Sequence, residues 1–215
     1  MKPSQPLVSC IMPTANREQY IPFAIFYFLH QTYQHRELII IDDGKYSVRD
    51  LIPQHPAIHY YYTAPVGTIG MKRNYACEKA KGEIIMHWDD DDWYAADWIS
   101  RQVDFLTQSG ADMCGIQHVH YYTALQDKFF TVVRKYEGMP NPNNWVTGAS
   151  LAYWRSFWQA HPFQDLQKGE DDNFIQQSGA KLFIHDYIDG FVCLLHPHNT
   201  TIKNFENPKH KVIRP

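Results

Sequence analysis

The stretch His87-Trp88-Asp89-Asp90-Asp91-Asp92-Trp93-Tyr94 sets four consecutive carboxylates between two tryptophans, directly after the apolar run Ile84-Ile85-Met86. Four like charges at the mouth of a buried strand repel one another unless a cation sits among them. Oxygen ligands suit a hard divalent ion, Mg²⁺ or Mn²⁺. A solvated acidic turn is normally flanked by small or polar residues rather than tryptophan. An EF-hand is excluded, because the run lacks the glycine at position six and the glutamate at position twelve of that loop. A second acidic cluster, Lys168-Gly169-Glu170-Asp171-Asp172-Asn173-Phe174, opens a helical pattern that stops at Gly179. Other chemistry-bearing residues stand where apolar runs end: Thr14, Asn16 and Arg17, then Asp42-Asp43, then Lys72-Arg73-Asn74.

The elements that must position these residues follow from periodicity. Leu7–Met12, Glu37–Ile41, Ile58–Tyr62 and Ile84–Met86 read as strands, and Pro22 to about Thr32, Met71–Ala80 and Asp97–Ser109 as helices. Strand, helix and strand within a few tens of residues form a βαβ unit, whose parallel sheet must be covered on both faces. The fold class expected is therefore α/β: a mixed, mostly parallel central sheet with helices on both faces. In the second half, Asp112–Tyr122 is predicted as one strand, paired as a small antiparallel hairpin with Phe129–Lys135. Residues 139–144 are predicted as irregular loop, Arg155–Ala160 as a short helix, and Lys181–His185 and Gly190–Leu195 as closing strands. Thr147-Gly148-Ala149-Ser150 is small enough for backbone to approach a ligand, and residues 202–215 read as a polar tail that is mobile without ligand. In an open parallel sheet, ligands bind outside the carboxyl ends of the strands. Thr14, Asp43, Arg73 and the aspartate run all fall there, a set suited to a nucleotide with a metal-bound diphosphate. The end of the glycine-containing loop Ala64–Gly70, opening a helix beside Lys72 and Arg73, is read as an anion site.

Composition bounds the rest. A chain of 215 residues with 44% hydrophobic and 20% charged residues is sized for one domain, and its aromatic share of 15% suits a pocket that stacks flat rings. A net charge of -3 gives no basic field for nucleic acid. The scattered Cys10, Cys77, Cys114 and Cys193 match neither a zinc site nor a disulfide frame and read as reduced core thiols. No apolar run approaches the ~18 residues that span a bilayer, and the opening apolar run is too short for a signal peptide, so the expectation is a cytoplasmic protein with no integral membrane segment.

Taken in order, Val8–Arg17, Gln31-Thr32-Tyr33 before Glu37–Gly44, Gly70–Asn74, the aspartate run and Gly169-Glu170-Asp171 resemble the family 2 glycosyltransferases of the GT-A (Rossmann-like) fold. The resemblance spans about residue 7 to about residue 175. It implies an inverting enzyme that moves a sugar from a nucleotide diphosphate sugar, a UDP-sugar, to an acceptor hydroxyl on a glycan or other molecule, with Mn²⁺ or Mg²⁺. Residues 1–215 would form one such domain, with 7–110 as the nucleotide-binding half and 111–200 as the acceptor-binding half. By the same resemblance, Thr14 and Asp43 would contact uracil and ribose, together with Asn16 and Arg17. Arg73 would reach the base or diphosphate, and Asp90 the ribose. Asp91, assisted by Asp89, would bind the metal, with His196 or His198 completing the shell. Asp171 would be the catalytic base in preference to Asp172, with Glu170 holding it or the acceptor, and Trp93 and Trp145 are candidate walls for a sugar ring. Two other classes compete. A sugar-nucleotide nucleotidyltransferase would want a glycine-rich basic loop after the first strand, where Pro13–Arg17 has no glycine. A non-catalytic metal-dependent glycan-binding module would leave Asp43, Arg73 and Asp171 without a purpose.

Overall fold

A computed structural model of the protein describes residues 5–134 and 145–199, together with the backbone of 210–213. In chain order the elements are β1 (Val8–Thr14), α1 (Ile21–Leu29), β2 (Arg36–Asp42), β3 (Ile58–Tyr62), α2 (Ile69–Lys79), β4 (Ile84–His87), β5 (Trp93–Tyr94) and α3 (Trp98–Ser109). Then follow β6 (Met113–Ile116), β7 (Val119–Thr123), β8 (Lys128–Arg134), β9 (Ala152–Trp154), α4 (Arg155–Ala160), α5 (Glu170–Gln177), β10 (Leu182–His185), β11 (Phe191–Leu194) and β12 (His210–Ile213).

β1, β2 and β4 are buried along their whole length, as near-continuous apolar runs must be when helices cover both faces of a parallel sheet. They lie in a seven-stranded sheet of order β10-β6-β9-β4-β1-β2-β3, parallel except for β9, which runs antiparallel to both neighbours. β1 pairs in register with β2 and β4, so that Met12 opposes Ile40 and Cys10 opposes Met86. Alternate side chains serve two cores. Cys10, Met12, Leu38, Ile40 and Met86 pack toward α1 and α3, while Ile11, Ile39, Ile41 and Ile85 pack toward α2, α4 and α5. A second, five-stranded sheet has the order β12-β8-β7-β11-β5.

The expected α/β architecture is present, with differences in the second half. Asp112–Tyr122 is not one strand. β6 ends at Ile116, whose N–H turns to the Ser150 hydroxyl at 3.0 Å, and β7 restarts at Val119 in the other sheet. A run of apolar residues records burial, not a change of sheet, which is why the break is invisible in the pattern. β5 and β9, of two and three residues, were not expected. The predicted anion site at the start of α2 is also corrected. The helix begins at Ile69, and the N–H groups of Ile69, Gly70 and Met71 already bond to Gln167 Oε1, the Leu166 carbonyl and the Thr68 hydroxyl at 3.3, 3.1 and 3.4 Å. All four cysteines are free, three of them buried. The 139–144 loop lies outside the described residues. So does the 202–215 tail, save the backbone of His210–Ile213, which pairs antiparallel with β8.

Candidate active site

Strand ends deliver the predicted residues to one edge of the large sheet. Thr14 closes β1, Asp42 closes β2, and the aspartate run follows β4 after one buried tryptophan. Trp88 stacks on Tyr94 at 3.9 Å between ring centres, and the Tyr94 hydroxyl accepts from the Asp89 N–H at 2.8 Å. These aromatics fix the turn that carries the carboxylates.

Each aspartate then has a different environment. Asp92 accepts from the Leu194 N–H at 3.0 Å, and burial pushes its carboxyl well above the usual range, so it ties β11 to the site as a structural group. Asp90 accepts from the Thr14 hydroxyl at 2.6 Å and from Arg17 Nη1 at 2.8 Å. Burial outweighs Arg17 and lifts Asp90 to about 6. Asp90 is only 2% exposed and has one hydrogen bond on each oxygen, yet it and Thr14 both line the cavity described below. Asp91 behaves oppositely. Burial pushes its carboxyl up, but the hydrogen bond from His196 and the charge of Arg17 outweigh burial and hold it below the usual range. Its Oδ2 lies 2.7 Å from Arg17 Nη1, 3.0 Å from His196 Nε2 and 3.2 Å from Asn199 Nδ2. Asp89 meets Arg73 Nη2 at 3.5 Å.

A carboxylate oxygen and an imidazole nitrogen about 3 Å apart have the spacing of adjacent ligands on an octahedral ion at roughly 2.1 Å. Asp91 and His196 therefore fit a Mg²⁺ or Mn²⁺ ion as a pair. The expected three-ligand set is not assembled: among the described residues no three His, Cys, Asp or Glu side chains are grouped to hold a metal, and Asp89 turns to Arg73. An ion here would take its other ligands from diphosphate oxygens and water, as Mg²⁺ usually does.

The second acidic cluster faces the first across a cavity of about 710 Å³ lined by both. Asp171 lies in the first turn of α5, after Gly169 in the left-handed region at φ 72°. Burial first, then the neighbouring Glu170 and Asp172, push its carboxyl up to about 6. Glu170 accepts from Arg73 Nε at 3.1 Å, so Arg73 bridges the two clusters, and its buried Nη1 has no hydrogen-bond partner among the described residues. Asp172 accepts from Trp145 Nε1. The Asp171 carboxylate rests on the Cα of Gly148, where any Cβ would overlap it. The Gly148 carbonyl in turn accepts from Nδ1 of His87, which burial keeps neutral.

Several predicted contacts have other partners. Asn16 has φ 53° and uses its side-chain oxygen to hold the Lys45 N–H at 2.7 Å. Asp42 is a turn anchor, accepting from Gly44 and Val48 N–H and from the Tyr60 hydroxyl. Asp43 is held by the Lys72 ammonium and by the Val66 N–H at 3.3 Å, and neither it nor Asn16 lines the cavity. Trp145 lines the cavity and Trp93 does not. His198 contributes its carbonyl, which accepts from Arg17 Nη2 at 2.7 Å. His87 and Asn199 had no predicted role, Lys72 was expected only as a cation beside an anion site, and only the smallness of Gly148 was visible in the sequence.

A family model for Glycosyl transferase family 2 matches residues 9–173. An uncharacterized glycosyltransferase of Haemophilus influenzae is 34% identical over 111 residues, which are 49% of this chain and 44% of the relative. The O-antigen biosynthesis glycosyltransferase WbnJ of Escherichia coli is 28% identical over 114 residues, 51% of this chain and 45% of WbnJ. The chain thus spans less than half the length of both relatives. Among solved structures, S. aureus TarS in complex with UDP-GlcNAc superposes with a TM-score of 0.73 at 16% identity, covering 90% of this chain and 60% of TarS. The mannosyltransferase PcManGT from Pyrobaculum calidifontis, in complex with GDP-Man and Mn²⁺, gives 0.66 at 19%, covering 89% and 57%. At these identities the likeness is one of fold. No helix among the described residues is long and apolar enough to cross a membrane.

Proposed function

Because the chain belongs to glycosyl transferase family 2, we propose that it transfers a sugar from a nucleotide diphosphate sugar, with a UDP-sugar as the first donor to test, to an acceptor hydroxyl with inversion at the anomeric carbon. One observation carries this reading: a single cavity is lined both by the aspartate run and by Asp171. The diphosphate lies at Asp91 and His196. A divalent ion held there would neutralise the charge that grows on the leaving diphosphate. Arg73, buried between Asp89 and Glu170, keeps the two carboxylate groups at a fixed separation. Asp171 takes the acceptor proton as the hydroxyl oxygen attacks, and a carboxyl raised to about 6 is better matched to that task than an ordinary aspartate. Glu170 holds Arg73 and leaves proton transfer to its neighbour. TarS with UDP-GlcNAc and PcManGT with GDP-Man and Mn²⁺ support the donor class. Four free cysteines suit a reducing compartment, and the cytoplasm is the location they favour.

The test is release of nucleotide diphosphate and of glycosylated acceptor from UDP- and GDP-sugars with Mn²⁺, followed by the anomeric configuration of the product. Asp171→Asn is expected to lower kcat by about 10² to 10⁴-fold with donor KM held, the range for loss of a general base. Full activity in a folded Asp171→Asn variant would move the base elsewhere. Consumption of a sugar 1-phosphate with a nucleoside triphosphate would favour the nucleotidyltransferase class. Glycan binding without any nucleotide binding would favour the binding module.

A further inference from the structure

Lys72 is a lysine only 8% exposed, on the second turn of α2, and its ammonium lies against the carboxyl ends of two neighbouring strands. It donates to the Thr14 carbonyl at 3.2 Å, at the end of β1, and to the carboxylate of Asp43, just past β2. An ammonium has three donors, and these partners take two. Asp43, by contrast, has one oxygen on Lys72 and the other on the Val66 N–H at 3.3 Å, and its side chain is 9% exposed. Lys72 lines the cavity and Asp43 does not. The polar group that this end of the cavity offers to a ligand is therefore a donor, not the carboxylate acceptor expected from the sequence.

Topology says which part of the ligand it would meet. Along the sheet the order is β4, β1, β2. Strands lie roughly 5 Å apart, so Lys72, seated across β1 and β2, stands about one to two strand spacings from the aspartates that follow β4. Gly148, on the turn packed against β4 and β6, lies on the other side of the aspartates from β2, and Asp171 rests on it, so that is the side on which the transferred sugar and its acceptor must meet the base. The nucleoside must then extend from the diphosphate toward β1 and β2. An ammonium whose charge is balanced by Asp43 suits a neutral ring carbonyl better than a second anion.

We infer that Lys72 selects the nucleobase of the donor, donating to the ring carbonyl that uracil, thymine and guanine carry where cytosine and adenine carry an amino group. This rests on the nucleotide diphosphate sugar reading above. A ring amino group brought to the same place would set donor against donor, leaving both unpaired.

The experiment is calorimetric titration of UDP, dTDP, GDP and CDP into the protein with Mn²⁺, repeated with Lys72→Met and with the double variant Lys72→Met/Asp43→Asn. The double variant removes both charges of the pair, so that no buried carboxylate is left unbalanced if the single variant fails to fold. Wild type is expected to prefer at least one of UDP, dTDP and GDP over CDP by tenfold or more. Each variant is expected to lose about tenfold in affinity for the preferred nucleotide while CDP is unchanged or tighter, so that the preference collapses. An equal loss for the preferred nucleotide and CDP would assign Lys72 to ribose or phosphate and overturn the inference alone, as would an unmoved ratio. Failure of wild type to bind any of the four nucleotides would instead overturn the donor reading on which it stands.

Discussion

Asp171 carries the sharpest single-residue consequence, because its two proposed properties pull in opposite directions. Burial and two acidic neighbours push it up to about 6, whereas its unfolded value is near the ordinary aspartate range. A carboxyl raised on folding contributes stability that is fully present below the unfolded value, because the folded state then holds the proton, and that is lost as pH rises through about 6. At neutral pH the ionised carboxylate is therefore a burden to the fold. Asp171→Asn should raise the melting temperature at pH 7.5, by an amount corresponding to on the order of 2 kcal/mol, and the gain should vanish near pH 4. The same group as a base must be ionised to act, so kcat of the wild type should fall about tenfold per pH unit below 6. Melting curves at the two pH values, set beside a pH–rate profile, check both signs. A variant that is less stable at pH 7.5 would mean the carboxylate is held by partners rather than strained by burial.

At the level of elements, the short turn Gly148–Ser150 between Trp145 and β9 does more for the site than its three residues suggest. It presents Gly148 to Asp171 on α5 and, through its carbonyl, to His87 at the end of β4. Two acidic elements far apart in sequence are thus held to one spacing. A methyl group at Gly148 would overlap the Asp171 carboxylate and push it off its seat. Gly148→Ala should leave donor affinity within a few-fold of wild type while lowering kcat by ~10²-fold, as expected when a reacting group moves by about 1 Å. Steady-state kinetics with donor and acceptor varied separately would show the split. Equal losses in donor affinity and kcat would count against the turn as a seat for the base. This device was poorly legible in the sequence, where the Thr147–Ser150 stretch read only as small. The strands β1, β2 and β4 were legible because each is built on an uninterrupted or nearly uninterrupted run of three or more apolar residues, Ile84-Ile85-Met86 in β4 and Leu38–Ile41 in β2, that ends at a turn or a charged cluster. β5 and β9 were not, since two or three residues carry no period and become strands only by lying beside neighbours that already exist.

For the whole molecule, the decisive event is that the segment after β11 returns to the aspartate run and to the turn that follows the first strand. β11 pairs antiparallel with β5 and is followed by His196 and Asn199, which reach Asp91, while the His198 carbonyl accepts from Arg17 after β1. The residues that single out Asp91 among the four as the proposed metal ligand lie about a hundred positions away, so the run itself does not distinguish it. The same closure places Arg17 between Asp90 and Asp91, 2.8 and 2.7 Å from an oxygen of each, where it is the cation nearest both carboxylates. Removing it without metal leaves two buried carboxylates facing each other, a loss on the order of 3 kcal/mol for a broken buried pair. A divalent ion at Asp91 and His196 would replace much of that attraction. Arg17→Gln should accordingly melt well below wild type in EDTA, and Mn²⁺ alone, with no nucleotide, should raise its melting temperature by more than it raises that of wild type, since binding to the folded state stabilises in proportion to saturation. Equal Mn²⁺ shifts in the two proteins would show that Arg17 does not occupy the ion's place, and a metal shift retained after His196→Ala would move the ion away from the returning segment.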